Sequence, residues 1–195
     1  MSANVGCAIL AAGASRRLGR PKQLVIHRGA PLVVLAAECA IRSRATACAV
    51  IVGAEQRAVR DALAGAPLEI IENPEWHEGV ASSIRAAATW AKSRRLHALI
   101  IALCDQPKLT SAHLERLIAE YERLRLPVAS FYARKNAVPA LIPDTYLDQL
   151  CALSGDRGAS ALLNGGARVT SVAWPDGEFD VDDADAERQL QSCGK

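Results

Sequence analysis

Apolar residues along the chain fall into short dense runs separated by polar turns. Val5–Leu10, Ala47–Val52 ("ACAVIV"), Leu68–Ile71 and Ala98–Leu103 ("ALIIAL") carry almost no polar alternation. Gly53 closes the second run, Asn73-Pro74 the third and Cys104-Asp105 the fourth, and the apolar stretch that begins the chain ends at Gly13. Runs of this kind predict strands that are apolar on both faces. Between them, helical spacing predicts helices over Pro31–Arg42, Gln56–Leu63, Ala81–Arg94 and Ser111–Arg125. For the last of these, Thr110 or Ser111 is the expected N-cap, with Glu115 placed for a capping interaction. Strands buried on both faces and alternating with helices predict a parallel sheet with right-handed crossovers.

The pattern changes after Pro127. Val128–Tyr132 and Ala137–Ile142 suggest a strand pair turning around Arg134–Asn136. Short helices are expected over Tyr146–Leu153 and Ala159–Leu163, a strand over Arg168–Ala173, and an acidic turn leading into a final helix over Asp180–Leu190. No internal repeat or low-complexity tract interrupts the chain. The expected fold class is α/β: a Rossmann-like, mostly parallel sheet with helices on both faces and a small β-hairpin and helical appendage. A single domain over residues 1–195 is expected, with a core over 1–126 and a second segment over 127–195.

Composition narrows the classes of function. The 195 residues are 50% hydrophobic, too apolar for a disordered chain. A net charge of +2 lacks the basic excess of a nucleic-acid binder. No hydrophobic run is long enough to cross a bilayer, and the N-terminal stretch lacks the basic leader of a signal peptide. A cytoplasmic protein with no nucleic-acid or membrane partner is the expectation, and a monomer, since no exposed apolar stripe stands out. Six scattered cysteines (Cys7, Cys39, Cys48, Cys104, Cys151, Cys193) show no CxxC pair and read as small hydrophobes. The four histidines show no ligand spacing and read as structural or solvated. Trp76 suits either a place packed over a ligand site or a core or edge role, and the core or edge role is the expectation.

Open α/β sheets bind ligands at the carboxyl ends of their strands. The first such loop, within "AILAAGASRRLGRPKQL" (Ala8–Leu24), combines Gly13 and Gly19 with Arg16, Arg17 and Lys22. Backbone amides exposed after a strand make an anion site, and arginine and lysine add charge that suits a triphosphate. A solvated surface turn is the plain alternative. Neither the P-loop pattern nor GxGxxG is present. Asp105, at the end of the fourth run, suits a magnesium ion, which takes one or two carboxylates plus phosphate oxygens and water; a turn cap would also use it. A second carboxylate is available in Asp180-Val181-Asp182-Asp183. If this segment is extended, Asp180 and Asp182 share one face while Val181 points inward. The alternative is an acidic first turn favoured by the dipole of the last helix.

The segment "LAAGASRRLGRPKQL" resembles the LAAGxSxRMGxxKxL signature of the MobA-like nucleotidyltransferases, closest to the MocA-type CTP:molybdopterin cytidylyltransferase branch. Further segments agree in order: "NPEWHEGVASSI" with NPxWxxGMxxSL, "LCDQP" with LxDQP, "VPALIP" with GxPxLF, "SGDRGASALL" with GDxGAxxLL, and "FDVDDADAE" with DIDTPED. Leu18, Val80 and Ile84 replace family Met, Met and Leu, and Ala137 stands where a glycine usually precedes the VP motif.

The resemblance implies a nucleotide-binding core over 1–126 and an acceptor-side segment with metal aspartates over 127–195. It implies nucleotide contacts from Leu10, Ala11, Ala12, Gly13, Ser15, Arg16, Arg17 and Lys22, and base or ribose contacts from Asn73, Gly79, Ser82 and Ser83. Ser82 and Ser83 would equally serve as helix caps. Arg17, Lys22 and Asp105 are the implied catalytic residues, and Asp105, Asp182 and then Asp180 the Mg²⁺ ligands. LAAG goes with cytidylyl transfer in this group, and the Ala12 methyl would narrow the base site against a purine. The implied reaction transfers CMP from CTP, or from another NTP, to the terminal phosphate of molybdopterin, with a molybdenum hydroxylase or its maturation chaperone as partner. Transfer to another phosphate acceptor, an NAD(P)H oxidoreductase of the nicotine-blue type and a non-catalytic cofactor chaperone are the competing expectations.

Overall fold

The computed structural model describes residues 3–166 and 168–192, so Cys193 lies outside the described residues. Seven strands form one sheet in the order β5-β4-β1-β6-β8-β7-β9. They are β1 (Val5–Ala11), β4 (Ala47–Val52), β5 (Glu69–Glu72), β6 (Ala98–Leu103), β7 (Val128–Tyr132), β8 (Lys135–Pro143) and β9 (Thr170–Ala173). A separate two-stranded ribbon pairs β2 (Ile26–His27) with β3 (Ala30–Pro31). β1 pairs in parallel with β4 and β6, and β4 with β5. β8 runs antiparallel to β6 and β7, and β9 returns parallel to β7. The chain's second half therefore continues the sheet from the β6 edge. The α/β class with a mostly parallel sheet is as the sequence implies.

The helices are α1 (Leu32–Arg42), α2 (Gln56–Ala62), α3 (Val80–Ser93), α4 (Ser111–Leu124), α5 (Leu147–Cys151), α6 (Ser160–Leu163) and α7 (Ala184–Ser192). Side chains alternate across each strand, which divides the core in two. Cys7, Ile9 and Ala11 pack with Val33, Val59 and Leu117 of α1, α2 and α4, while Ala8 and Leu10 pack with Ile84 and Ala88 of α3. Both faces are covered, which is why β1 and β6 needed no polar positions. Burying each Leu or Ile of this kind contributes roughly 1.5–3 kcal/mol.

Three local expectations are corrected. Thr110 alone caps α4, accepting from the backbone N–H of His113 at 3.2 Å, so the third helical position is His113 and Glu115 is too far along to close a capping box. Ser82 and Ser83 lie inside α3, not at its cap, because the helix begins at Val80 with Gly79 as the capping residue. The β7–β8 turn is Ala133-Arg134, both at positive φ (46° and 60°), as a two-residue hairpin turn requires. Asn136, the residue that suggested a later turn, instead accepts from Ser171 Oγ at 2.7 Å and exchanges bonds with Asn164.

His113 is buried and stacks on Trp174 at 4.6 Å. Ser130 Oγ donates to the Pro139 carbonyl at 2.6 Å, so it accepts from His113 Nε2 at 2.7 Å, leaving His113 Nδ1 unpaired. Burial, with the Arg116 charge, lowers the His113 pKa to about 4. An unfolded chain takes up this proton near 6.5, so stability rises with pH between about 4 and 6.5 and is lost on acidification through that window. Melting temperatures measured from pH 7 to pH 4 should show this slope, and His113→Gln, which keeps a donor for Ser130, should flatten it.

Candidate functional site

The loop after β1 is built around a residue absent from the candidates above. Gln23 is fully buried. Its Nε2 donates to the carbonyls of Ala11 (2.8 Å) and Gly13 (2.6 Å), and its Oε1 accepts from Ser15 Oγ at 3.3 Å. Ser15 Oγ in turn accepts from the Lys22 backbone N–H at 3.0 Å, and the Ala12 carbonyl is taken by the Ala54 N–H at 3.0 Å. Three successive carbonyls are thus engaged behind the loop, so an anion resting on it meets little carbonyl repulsion. Ser15 itself sits at φ 52°. Arg20 pairs with the buried Glu187 and ties the loop to α7.

β1 and β6 are neighbours and end side by side, so the loop after β1 meets the Cys104-Asp105 turn after β6. The chain then returns from β9 to the same place. Val181 is fully buried with Val25, Leu32 and Leu190, and its N–H donates to the Asp105 carbonyl at 3.0 Å. Phe179 is extended (φ −91°, ψ 112°), which puts Asp180 and Asp182 on the cleft side. Asp183 faces away and caps α7, accepting from the N–H groups of Asp185 (3.0 Å) and Ala186 (2.9 Å). The acidic first-turn role therefore belongs to Asp183.

These segments enclose a cavity of about 390 Å³ lined by Leu10, Ala12, Gly13, Arg17, Lys22, Trp76, Gly79, Val80, Ser83, Leu103, Asp105, Asp180 and Asp182. Lys22 Nζ bonds to Asp105 Oδ2 and, at 2.8 Å, to Asp182 Oδ1, while Arg17 bonds to Asp182 Oδ2. Burial lowers the Lys22 pKa, but the Asp105 and Asp182 charges outweigh it and hold the ammonium well above its ordinary value. Burial raises the Asp182 pKa, but its bonds and charge interactions with Lys22 and Arg17 prevail and lower it. Asp180 is raised, first by burial and then by repulsion from Asp182 and Asp105. A second cavity of about 350 Å³ adjoins the first, sharing Leu10, Val80, Leu103 and Asp180, and reaches Gln106, Tyr132 and Lys135 on the β7–β8 side.

The other candidates stand elsewhere. The Ala11 side chain packs into the α1–α4 core, and Ser15 works within the loop. Arg16 lines a smaller neighbouring cavity with His77, Glu78 and Asp156. Asn73 and Ser82 are buried behind the cleft wall. Asn73 Nδ2 donates to Ser82 Oγ (2.9 Å) and Ser83 Oγ (3.1 Å), and Asn73 Oδ1 accepts from the Glu75 N–H at 3.1 Å. Trp76 lines the cleft, the alternative to the core or edge role expected of it. A Cβ on Gly53 would lie 2.6 Å from its Cβ and 2.9 Å from the Ala12 Cβ, so the bare Gly53 lets the indole seat beside Ala12. Gly79 holds φ 112°, and a Cβ there would lie 2.7 Å from the Gly155 carbonyl. Gln106 is also buried, and its Nε2 donates to Tyr132 Oη, the Val138 carbonyl and the Gly177 carbonyl at 3.1, 3.4 and 3.3 Å. The only available signals for Gln23 and Gln106 were their places in "RPKQL" and "LCDQP". Cys104 is buried and its thiol pKa is pushed well up by burial and by the Asp105 charge, which fits a small packing residue.

Asp105 Oδ1 is buried and has no hydrogen-bond partner, while Asp105 Oδ2 and Asp182 are bonded by Lys22 and Arg17. Among the described residues no three His, Cys, Asp or Glu side chains form a closed metal cage. The donor set is an open carboxylate pair of the kind Mg²⁺ uses when phosphate and water complete its shell. Asp105 and Asp182 fit such an ion.

The sequence profile of the MobA-like NTP transferase domain matches residues 7–171. The chain belongs to this family. Its relatives include nicotine blue oxidoreductase of Paenarthrobacter nicotinovorans, 32% identical over 164 residues (80% of this chain, 79% of the relative). The purine catabolism protein PucB of Bacillus subtilis (strain 168) is 29% identical over 200 residues (93% and 92%). Rv0371c from Mycobacterium tuberculosis H37Rv superposes with a TM-score of 0.83 at 28% identity, covering 98% of this chain and 100% of that one. Its crystal structure in complex with manganese superposes at 0.77 and 26% identity, covering 97% and 98%. In this MobA-like chain no helix among the described residues is long and apolar enough to cross a membrane.

Proposed function

We propose that this MobA-like protein is a Mg²⁺-dependent cytidylyltransferase that moves CMP from CTP to the terminal phosphate of molybdopterin, releasing pyrophosphate, in maturation of a molybdenum hydroxylase cofactor. One observation carries the proposal: two carboxylates 77 positions apart, Asp105 and Asp182, meet Lys22 and Arg17 at the mouth of β1. The manganese complex of Rv0371c supports divalent-metal chemistry in this branch. Ala11-Ala12-Gly13 supports CTP, since the Ala12 methyl lines the cleft.

An oxygen of the acceptor phosphate attacks the α-phosphorus of CTP. The bond from that phosphorus to the oxygen bridging to the β-phosphate breaks, and its electron pair leaves with pyrophosphate. A divalent ion held by Asp105 and Asp182 would supply the charge that offsets repulsion between the two phosphates. Lys22 and Arg17 turn to the phosphates and stabilise the charge that grows on the leaving group. The β1 loop orients the triphosphate through its backbone. The acceptor occupies the second cavity, which opens on the first at Asp180 and Leu103. No side-chain nucleophile is needed, and a phosphate monoester is already ionised near neutral pH, its second pKa being about 6.

The name of the 32%-identical relative favours a second reading, NAD(P)H oxidation with a quinoid acceptor. The β1 loop offers no GxGxxG for a dinucleotide, and paired aspartates beside Lys22 and Arg17 suit a metal-bound triphosphate better than a hydride donor. Incubation with each NTP, Mg²⁺ and a molybdopterin source separates the two. Pyrophosphate release with CTP and not GTP is expected. Release with CTP but from another phosphate acceptor would move the proposal to that acceptor, and loss of NADPH absorbance with a quinoid acceptor would replace it.

Nucleotide binding has a built-in reporter. Trp90 and Trp174 are buried, whereas Trp76 lines the cleft. Titration with Mg²⁺ and CTP is expected to change the tryptophan emission, and Trp76→Phe should remove that change while the fold is retained.

A further inference from the structure

Lys22 occupies the place a divalent ion would take. Its ammonium bridges Asp105 Oδ2 and Asp182 Oδ1, the two side chains that fit the ion, and only 22% of the Lys22 side chain is exposed. Arg17 fills the remaining oxygen of Asp182 but is 74% exposed, so it moves aside into water without burying or stranding a charge. Lys22 has no such freedom. The Lys22 backbone N–H is fixed by Ser15 Oγ, and Pro21 and the short 3₁₀ turn over Lys22–Leu24 hold its Cα against the cleft. An ion entering alone would displace the ammonium and leave it half-buried beside a like charge, with only Asp180, which it does not bond, in place of the two carboxylates it lost. An ion entering with a triphosphate brings the anion that the displaced ammonium needs.

We infer that Lys22 makes this site selective for the metal–nucleotide complex over the free metal ion, by acting as the carboxylates' counter-ion until a triphosphate takes it over. The inference rests on the metal site proposed above and adds a role for Lys22 before chemistry begins. It makes ion and nucleotide binding mutually reinforcing, as linkage requires. It also keeps the carboxylate pair neutralised in the cleft, where the buried Asp105 and the largely buried Asp182 would otherwise repel each other.

Free Mn²⁺ titrated into the full-length protein and followed by electron paramagnetic resonance tests this without acceptor or turnover. Wild type should bind Mn²⁺ alone weakly. Lys22→Met and Lys22→Gln should bind Mn²⁺ alone more tightly, by about tenfold or more, and bind CTP less well. Lys22→Arg, which keeps the charge, should stay weak. Asp182→Asn should bind Mn²⁺ less well than Lys22→Met in every condition. If both uncharged Lys22 variants bind free Mn²⁺ no better than wild type while Asp182→Asn still weakens binding, the counter-ion role is wrong and the metal site stands. If no variant binds Mn²⁺ even with CTP, the metal site and the inference both fall.

Discussion

Asp105→Asn is expected to lower the rate of nucleotidyl transfer by about a thousandfold or more while the protein remains folded. Asparagine keeps the shape of the side chain and one carbonyl oxygen, so packing at the end of β6 is preserved. It removes the charge with which Asp105 would hold the proposed ion. Lys22 retains Asp182 as a partner at 2.8 Å, so the cleft keeps its arrangement of cations. The backbone bond from Val181 to the Asp105 carbonyl is untouched by the substitution. Circular dichroism should match wild type, CTP should still change Trp76 emission at high concentration, and pyrophosphate release should vanish. Near-normal release would mean that Asp105 does not hold the ion.

Gln23→Leu has the second-largest expected effect, on stability and on nucleotide binding together. Leucine fits the volume but leaves the Ala11 and Gly13 carbonyls without the Nε2 donor and Ser15 Oγ without its acceptor. Stranding the buried Ala11 carbonyl costs roughly 1–3 kcal/mol, while the exposed Gly13 carbonyl is left to water, and in a chain of this size the melting temperature should fall by at least about 2 °C. The freed carbonyls would turn toward the cleft and repel phosphate. KM for CTP should therefore rise more than kcat falls. A variant with normal melting and normal KM would show that the loop holds its shape by other contacts.

The parts of this protein that could be read from its sequence are those fixed by burial on both faces of a sheet. β4 and β6 begin and end where their apolar runs do, because a central strand has no polar position to blur its edges. The meeting of Lys22 with Asp105 follows from the same source. Asp105 lies just after β6 and Lys22 at the end of the loop that leaves β1; the two strands are neighbours, and parallel strands end on the same side. Alternation in an extended segment put Asp180 and Asp182 on one face, but their meeting with Asp105 was implied only by the resemblance of "FDVDDADAE" to DIDTPED, since no periodicity says that a segment after β9 folds back to β6. What decides its placement is Val181, a single apolar residue between aspartates that is drawn into the cluster with Val25 and Leu32.

Polar side chains turned inward were the least legible. Gln23 and Gln106 act through backbone carbonyls, whose positions depend on the finished fold, so their composition gives no cue beyond the motifs that contain them. Asn73 and Ser82 show the converse: the resemblance implies ligand contacts for them, whereas in the structure they bond to one another behind the cleft wall. Trp76 reached the cleft because Gly53, 23 positions earlier, leaves room beside Ala12. A pairing of that kind has no period in the sequence.

CTP labelled at the α-phosphate, incubated with Mg²⁺, molybdopterin and the protein, gives the most direct test of two-carboxylate nucleotidyl transfer. The label should appear covalently on the acceptor, one equivalent per pyrophosphate released, with wild type and not with Asp105→Asn. Label that stays in CTP while the protein binds it, or transfer that proceeds equally in Asp105→Asn, would contradict it.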